Sequence, residues 1–193
     1  MSKKHILQTL LFAVAYFVAM ALATFLNHFV DHTGAMYFAP AFTALVGSLV
    51  YFYFVPKIQH FGAITFVGLF IGSFFLLTGH MYLAFLPGLL FGLLADIIAY
   101  QGKYRKALTN QLSMVAFAFV PTGPIFLMWL ARDAYIDALI KRGKDSEYIN
   151  KVLLAGDLAT ISQFVLIVLF AGVLAALLGQ FFYKHYFSEE IEA

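Results

Sequence analysis

The sequence predicts an all-α integral membrane bundle of six transmembrane helices, and three observations support that fold class. Hydrophobic residues form 63% of the 193 residues and charged residues only 11%, whereas about a quarter of a soluble domain is charged. Apolar runs long enough to cross a bilayer recur along the whole sequence. These runs lack the period-two alternation of an outer-membrane β-barrel. We therefore expect one transmembrane domain, residues 1–193.

Six segments have about the length that a helical span requires. In chain order they are residues 6–27, 36–54, 61–77, 83–100, 108–130 and 158–183. Lys3 and Lys4 before the first run are typical of a signal peptide, but the run exceeds the roughly 7–15 residues of a secretory apolar region. We interpret it as a retained first helix. Pro56 is expected to end the second span, while Pro121 and Pro124 are expected to bend the fifth.

The distribution of Lys and Arg predicts the orientation of these spans. One side of the membrane would carry Lys3, Lys4, Lys57, Lys103, Arg105, Lys106 and Lys184. On the other side, basic residues occur only in the long connection 131–157, where acidic residues balance them. The short loops 27–35 and 78–82 contain none. Because Lys and Arg concentrate in short cytoplasmic loops, both termini are expected to be cytoplasmic.

The connection 131–157, between the fifth and sixth spans, is predicted to form an amphipathic helical lid on the outer surface. Apolar side chains recur at helical spacing through residues 131–139, with charged side chains between them. Gly143 is expected to end the first helix of this connection. A second short helix is expected over residues 146–156, and Asp157 is expected to cap the sixth span.

Polar and aromatic side chains from three outer segments are the candidate ligand-binding residues, because small-molecule sites combine apolar walls with a few convergent polar groups. They are His28, His32, His80, Met81, Tyr82, Trp129, Arg132 and Tyr135. Each has a structural alternative. The histidines can lie on loop surfaces or close the turn, the aromatic residues can anchor at the headgroup level, and the arginine can pair with Asp133.

Several function classes find no support in the sequence. There is no cysteine, which removes disulfides and thiolate metal sites, and no protease or nucleotide-binding motif is present. Scattered basic residues do not indicate nucleic-acid binding. We expect no enzymatic activity, no catalytic residue and no resident cofactor. Asp96 is costly inside a span, and we expect Lys103 and Arg105 to compensate it in a structural or partner-contacting role.

Four stretches of the sequence carry a resemblance to a known family. Ala15, Ala19 and Ala23 form a four-residue repeat of small side chains, and the other stretches are LTGH at 77–80, FGLLAD at 91–96 and LARDAY at 130–135. With six spans in about 190 residues, these features resemble the substrate-binding S-components of energy-coupling factor (ECF) transporters, and in particular the Trep_Strep subgroup.

The resemblance implies partners and a ligand. S-components capture a vitamin- or cofactor-like ligand at the outer face of a prokaryotic cell membrane. They deliver it inward with a transmembrane T-component and two ATPases, which use the ATP. The alanine repeat would face the T-component. Haem is the leading ligand, with His80 as its metal ligand and Arg132 on a propionate. Other vitamin-like compounds that stack on aromatic side chains fit almost as well.

Two alternatives of other classes stay open. A membrane-embedded enzyme acting on a lipid or prenyl substrate would require outer-face acid–base residues such as His28, Asp31 and His80. A structural or regulatory membrane protein would bind no saturable ligand.

Overall fold

The computed structural model describes residues 3–79 and 82–187, and every regular element in those ranges is helical. The helices are α1 Lys3–His28, α2 Ala39–Ile58, α3 Ala63–Leu77, α4 Leu86–Gln101, α5 Ala107–Phe117, α6 Gly123–Leu130, α7 Arg132–Lys141, α8 Ser146–Val152 and α9 Leu158–Phe182. Single 3₁₀ turns at Tyr82–Phe85 and Val120–Thr122 precede α4 and α6, and a π-helical turn, Tyr183–Phe187, follows α9.

Five helical segments in the described ranges are long and apolar enough to cross a membrane. They are Lys3–His28, Ala39–Ile58, Tyr82–Gln101, Ala107–Leu130 and Leu158–Phe187. The remaining apolar helix, α3, has 15 residues, or about 22 Å at 1.5 Å per residue. That length is shorter than the roughly 30 Å hydrocarbon core of a bilayer.

The long helices pack as a closed ring. Helix α1 contacts α2 and α3, α3 contacts α4, α4 contacts α5, and α9 closes the ring between α5 and α2. Helices α7 and α8 lie outside the ring and cover one end of it through contacts with α6. We call this the lid end, and the opposite end, where α4 stops and α5 starts, the far end.

Aromatic side chains fill the centre of the ring. Phe12 and Tyr16 of α1, Tyr51 of α2 and Phe117 of α5 are each fully buried. The rings of Tyr16 and Phe117 meet edge to face at 5.0 Å between centroids, and those of Tyr51 and Phe117 lie 5.1 Å apart. Such contacts add attraction beyond simple burial, so the ring is packed solid rather than open as a pore.

Helices α3 and α4 approach so closely that only glycine fits at their crossing. A Cβ on Gly88 would lie 2.5 Å from the carbonyl oxygen of Gly68, and a Cβ on Gly92 would lie 3.1 Å from the Gly68 Cα. Small residues allow such backbone contact between membrane helices. The order of contacts makes the two helices antiparallel, since Gly72 meets Phe85 while Gly92 meets Thr65.

The carboxylate of Asp96 is fully buried near the far end and links α4 to the start of α3. One of its oxygens accepts hydrogen bonds from the Gly62 amide at 2.8 Å, the Thr65 amide at 2.9 Å and the Thr65 hydroxyl at 2.8 Å. The other accepts one from the Tyr104 hydroxyl at 2.8 Å. These donors satisfy a carboxylate that would be costly in an apolar segment, which favours the structural interpretation.

The structure agrees with the sequence on most boundaries and differs at two. Residues 118–122 break the fifth span between α5 and α6, as Pro121 and Pro124 predict. The Asp157 carboxylate caps α9 by accepting from the Thr160 amide at 2.9 Å. The prediction that Pro56 ends the second span is wrong, because α2 continues to Ile58. Helix α8 ends at Val152 rather than at residue 156.

Candidate functional site

A cavity of about 280 Å³ lies at the lid end, between the ring of long helices and the lid. It forms there because α1 and α3 end, α2 begins and the fifth span breaks at the same level. The break after α5 leaves space that a straight helix would fill. The cavity is therefore a consequence of the prolines together with the covering lid.

The walls of the cavity are mainly apolar, with methionine and proline most frequent. They consist of Met20 and Thr24 of α1, Gly34, Ala35 and Met36 of the first loop, Ala39, Pro40 and Thr43 of α2, Phe74 and Phe75 of α3, and Pro121, Pro124, Ile125 and Met128 around the break. Methionine adapts to irregular shapes, and aromatic and proline surfaces are flat. Such walls suit a small organic ligand with a planar part.

The roof of the cavity comes from the lid and carries most of its polar groups. Tyr135, Leu139 and Arg142 reach it from α7 and the residue that follows, and Tyr148 reaches it from α8. Tyr135, Leu139 and Arg142 lie on the same side because they are spaced four and three residues apart, which places them on one helix face. The Arg142 guanidinium donates to the Gly79 carbonyl oxygen at 2.9 Å, which ties the lid to the segment after α3.

Tyr135 is buried and keeps its proton throughout the physiological pH range. Burial raises its pKa to about 12, with a further rise from Tyr148 and an opposing effect of the Arg142 charge. Its hydroxyl has no hydrogen-bond partner among the described residues. It is therefore a hydrogen-bond donor at the cavity that protein atoms in those ranges leave unused.

Of the six candidate ligand residues that lie in the described ranges, Tyr135 is the one that lines the cavity. Trp129 and Arg132 instead hold the segment that follows α8. The Trp129 indole donates to the Ala155 carbonyl oxygen at 3.0 Å, and the Arg132 guanidinium donates to the Leu154 carbonyl oxygen at 3.0 Å. Both side chains thus fix the lid rather than face the cavity.

The remaining candidates lie away from the cavity or outside the described residues. His28 and His32 are exposed, with ring centroids 6.0 Å apart, and Tyr82 is 69% exposed. His80 and Met81 lie outside the described ranges.

The first loop lines the cavity with Gly34, Ala35 and Met36 rather than with its histidines or Asp31. Asp31 shapes this loop by accepting from the Thr33 hydroxyl and amide and from the Tyr37 amide. Burial alone would raise the pKa of Asp31, but these hydrogen bonds outweigh it and hold the pKa below its ordinary value. Asn27, fully buried, donates to the Met36 sulfur at 3.5 Å. The loop is therefore held in place as part of the cavity wall.

The alanine repeat of α1 is largely covered by the chain itself. Ala23 is fully buried, Ala19 is 6% exposed, and Ala15 is half-buried. Of the three, Ala15 is the one that a partner can reach without movement of α1.

A second concavity, a groove of about 660 Å³, runs along the outside between α2 and α9. Its described lining is apolar except for Ser162 and Gln163. It opens toward the surface that faces lipid, and its composition suits acyl chains rather than a polar ligand.

Sequence reasoning did not single out Arg142, Tyr148 or the methionines of the cavity. Two signals were available. Arg142 follows the apolar face of α7 at the spacing of Tyr135 and Leu139, and Pro121 and Pro124 marked the break around which the cavity forms. The convergence of α1, α2 and α3 on that break depends on tertiary packing that no local pattern contains.

Residues 3–189 match one family model, described as "Hypothetical bacterial integral membrane protein (Trep_Strep)". No curated protein and no solved structure matches the chain. The match agrees with the long apolar helices of the structure and covers nearly the whole chain.

Proposed function

The chain belongs to the Trep_Strep family of bacterial integral membrane proteins, and from that premise we propose that it is the substrate-binding S-component of an ECF-type importer. The observation that carries the proposal is the cavity of about 280 Å³ under a helical lid at one end of the bundle. A binding subunit requires such a covered site, whereas a purely structural bundle does not. In this role the chain performs no chemistry of its own.

The proposed orientation places the lid outside the cell. All seven basic residues outside the lid connection lie at the far end or next to it: Lys3, Lys4, Lys57, Lys103, Arg105, Lys106 and Lys184. The positive-inside rule then makes the far end cytoplasmic, together with both termini. Helix α3 is the sixth span in this proposal, since it runs antiparallel to α4 from the Asp96 level to the lid end.

The ligand in this proposal is vitamin- or cofactor-like. Haem, the leading ligand expected from the sequence, is large for the described cavity, because about 280 Å³ lies at the lower limit of the ~300–1,000 Å³ of small-molecule sites. His80, the expected iron ligand, lies outside the described residues. The cavity therefore favours a compound smaller than haem.

The energy for uptake comes from partner subunits in this proposal. A T-component in the membrane and two cytoplasmic ATPases would supply it, and α1 would face the T-component through its alanine repeat. Because Ala19 and Ala23 are covered by the chain itself, Ala15 is the position where a larger side chain disturbs docking without disturbing the core.

Purification of the tagged chain from its native bacterial membrane in mild detergent tests the proposal. We expect a T-component and two ATPases to copurify. The substitution Ala15→Leu should lower their recovery about tenfold, equivalent to ~1.4 kcal/mol of docking energy.

The matched control is Leu10→Phe, since Leu10 is 45% exposed and lies about 140° around the same helix from Ala15. Its recovery of partners should equal that of the natural chain. If no ATPase module copurifies, the S-component assignment is overturned. If the two substitutions lower the recovery of partners equally, the assignment of the interface to α1 is overturned.

A further inference from the structure

The roof of the cavity supplies one cation and two phenol groups, while its walls supply flat apolar surfaces. From this arrangement we infer that the ligand is a small aromatic carboxylic acid whose carboxylate binds Arg142 and the Tyr135 hydroxyl. The inference rests on the proposed function, because it names the substrate class of the same cavity.

Arg142 carries the positive charge of the site. It uses one guanidinium N–H on the Gly79 carbonyl oxygen, at 2.9 Å, and a guanidinium has five N–H donors in a planar fork. No carboxylate within residues 3–79 and 82–187 forms an ion pair with it. The planar fork matches the two oxygens of a carboxylate better than a single point charge does.

Tyr135 supplies a neutral donor beside this cation. It is 6% exposed, lines the cavity and has no hydrogen-bond partner for its hydroxyl in the described part of the chain. The raised pKa of Tyr135 keeps the proton on the hydroxyl, so this group can donate a hydrogen bond to an acceptor on the ligand.

The absence of acidic side chains from the described cavity lining favours a negatively charged ligand. No Asp or Glu occurs among the described residues that line the cavity, so the Arg142 charge has no competitor there. A second cation, Lys144, lies 4.5 Å above the Tyr148 ring on the lid. Acidic residues such as Asp145 lie beside Lys144 on the lid, so Arg142 is the cation that reaches the cavity itself.

The aromatic part of the ligand follows from the walls. Phe74, Phe75 and Tyr148 contribute aromatic side chains to the lining of the cavity, and Pro121 and Pro124 contribute proline rings. The volume of about 280 Å³ admits one or two fused rings with a short acidic side chain. Larger conjugates would have to displace the lid.

The test measures binding of matched acids and amides to the full chain in lipid nanodiscs by calorimetry. The probe pairs are nicotinate with nicotinamide, benzoate with benzamide, and indole-3-acetate with indole-3-acetamide. In each pair the shape is nearly constant and the negative charge is removed. We expect at least one acid to bind at least tenfold more tightly than its amide.

Four variants separate charge recognition from a structural role of the lid. Arg142→Gln should weaken the acid at least tenfold and leave the amide unchanged, and Arg142→Lys should retain part of the preference. Tyr135→Phe should weaken the acid several-fold. Lys141→Gln, which removes an exposed charge of α7 that does not line the cavity, should change nothing.

Three results would overturn the inference. They are equal binding of acid and amide, equal loss of both in Arg142→Gln, and no binding by any acid of the panel. Copurification of the ATPase module is measured separately. A negative panel with a copurifying module rejects the substrate class alone, whereas a missing module rejects the transport assignment.

Discussion

At the scale of single residues, Asp96 shows how a carboxylate is accommodated inside an apolar helix. Its compensation comes from four hydrogen-bond donors on Gly62, Thr65 and Tyr104, not from Lys103 or Arg105 as expected from proximity in sequence. Gly62 and Thr65 precede Asp96 by more than thirty residues. Only the antiparallel packing of α3 on α4 brings them together, so a local pattern cannot reveal the partnership.

Replacing Asp96 with Asn tests this account. An amide group presents two donors of its own, so Asp96→Asn leaves at least one buried donor of Gly62, Thr65 or Tyr104 unsatisfied and should destabilise the protein by about 3 kcal/mol. The measurement is the midpoint of thermal unfolding in detergent. Asp133→Asn, which alters an exposed carboxylate of α7, is the control and should unfold with the natural chain. Equal midpoints would contradict the role of Asp96.

The two lid arginines show why the site was harder to predict than the fold. Both are charged, and both lie on or next to α7. Arg132 at its start bonds the Leu154 carbonyl oxygen, while Arg142 after its end lines the cavity. The difference is about ten residues along one helix, and the sequence does not contain the angle at which that helix meets the bundle.

At the scale of elements, the glycine contact between α3 and α4 explains how a 15-residue helix is held within the bundle. Gly68, Gly72, Gly88 and Gly92 lie on facing surfaces, so the two backbones touch without intervening side chains. Dispersion contacts are the main attraction between helices in lipid. A short helix packed this tightly relies on its neighbour rather than on its own length.

A single methyl group should disrupt this contact. In Gly68→Ala the new Cβ would collide with the carbonyl oxygen of Gly88. Because backbone atoms cannot rotate away, we expect a loss of about 3 kcal/mol, measured by thermal unfolding. The same change at Gly156, where a Cβ would lie 3.8 Å from Trp129, should be tolerated. Equal stability of both variants would contradict a backbone contact at Gly68.

The positions of the helices were predictable from the lengths of the apolar runs and from Pro, Gly and Asp residues near the helix ends. The predicted spans agree with the observed helices to within a few residues, and Gly143, with its positive φ of 75°, follows α7 as predicted. The prediction that Pro56 ends the second span failed because Pro56 lies in the last turn of α2. The loss of one backbone hydrogen bond is tolerated there, near the helix end. Local chemistry therefore predicts where helices occur better than where each one stops.

At the scale of the whole molecule, the ring of long helices has two ends, and helices α7 and α8 cover the lid end. Five segments are long enough to span a bilayer, and α3 decides whether the number of crossings is five or six. Six crossings place the two termini on the same side of the membrane and five place them on opposite sides, so whether α3 crosses determines the topology.

The topology can be measured directly, because the chain has no cysteine. Single cysteines at Phe61, Leu77 and Asp137 would lie before α3, at its end and on the lid, and Leu77 is 88% exposed. In intact cells, a membrane-impermeant maleimide should label Leu77→Cys and Asp137→Cys. Phe61→Cys should react only after permeabilisation. Labelling of Phe61→Cys and Leu77→Cys from the same side would show that α3 does not cross.

The hydrogen bond from the Trp129 indole to the Ala155 carbonyl oxygen makes tryptophan fluorescence a probe of the lid. Trp129 is the one tryptophan of the sequence, its ring centroid lies 5.3 Å from that of Phe164, and its N–H is bonded to the segment that joins the lid to α9. Displacement of that segment exchanges the carbonyl acceptor for water and changes the emission of a single fluorophore. Opening of the lid can therefore be followed in real time in unlabelled protein.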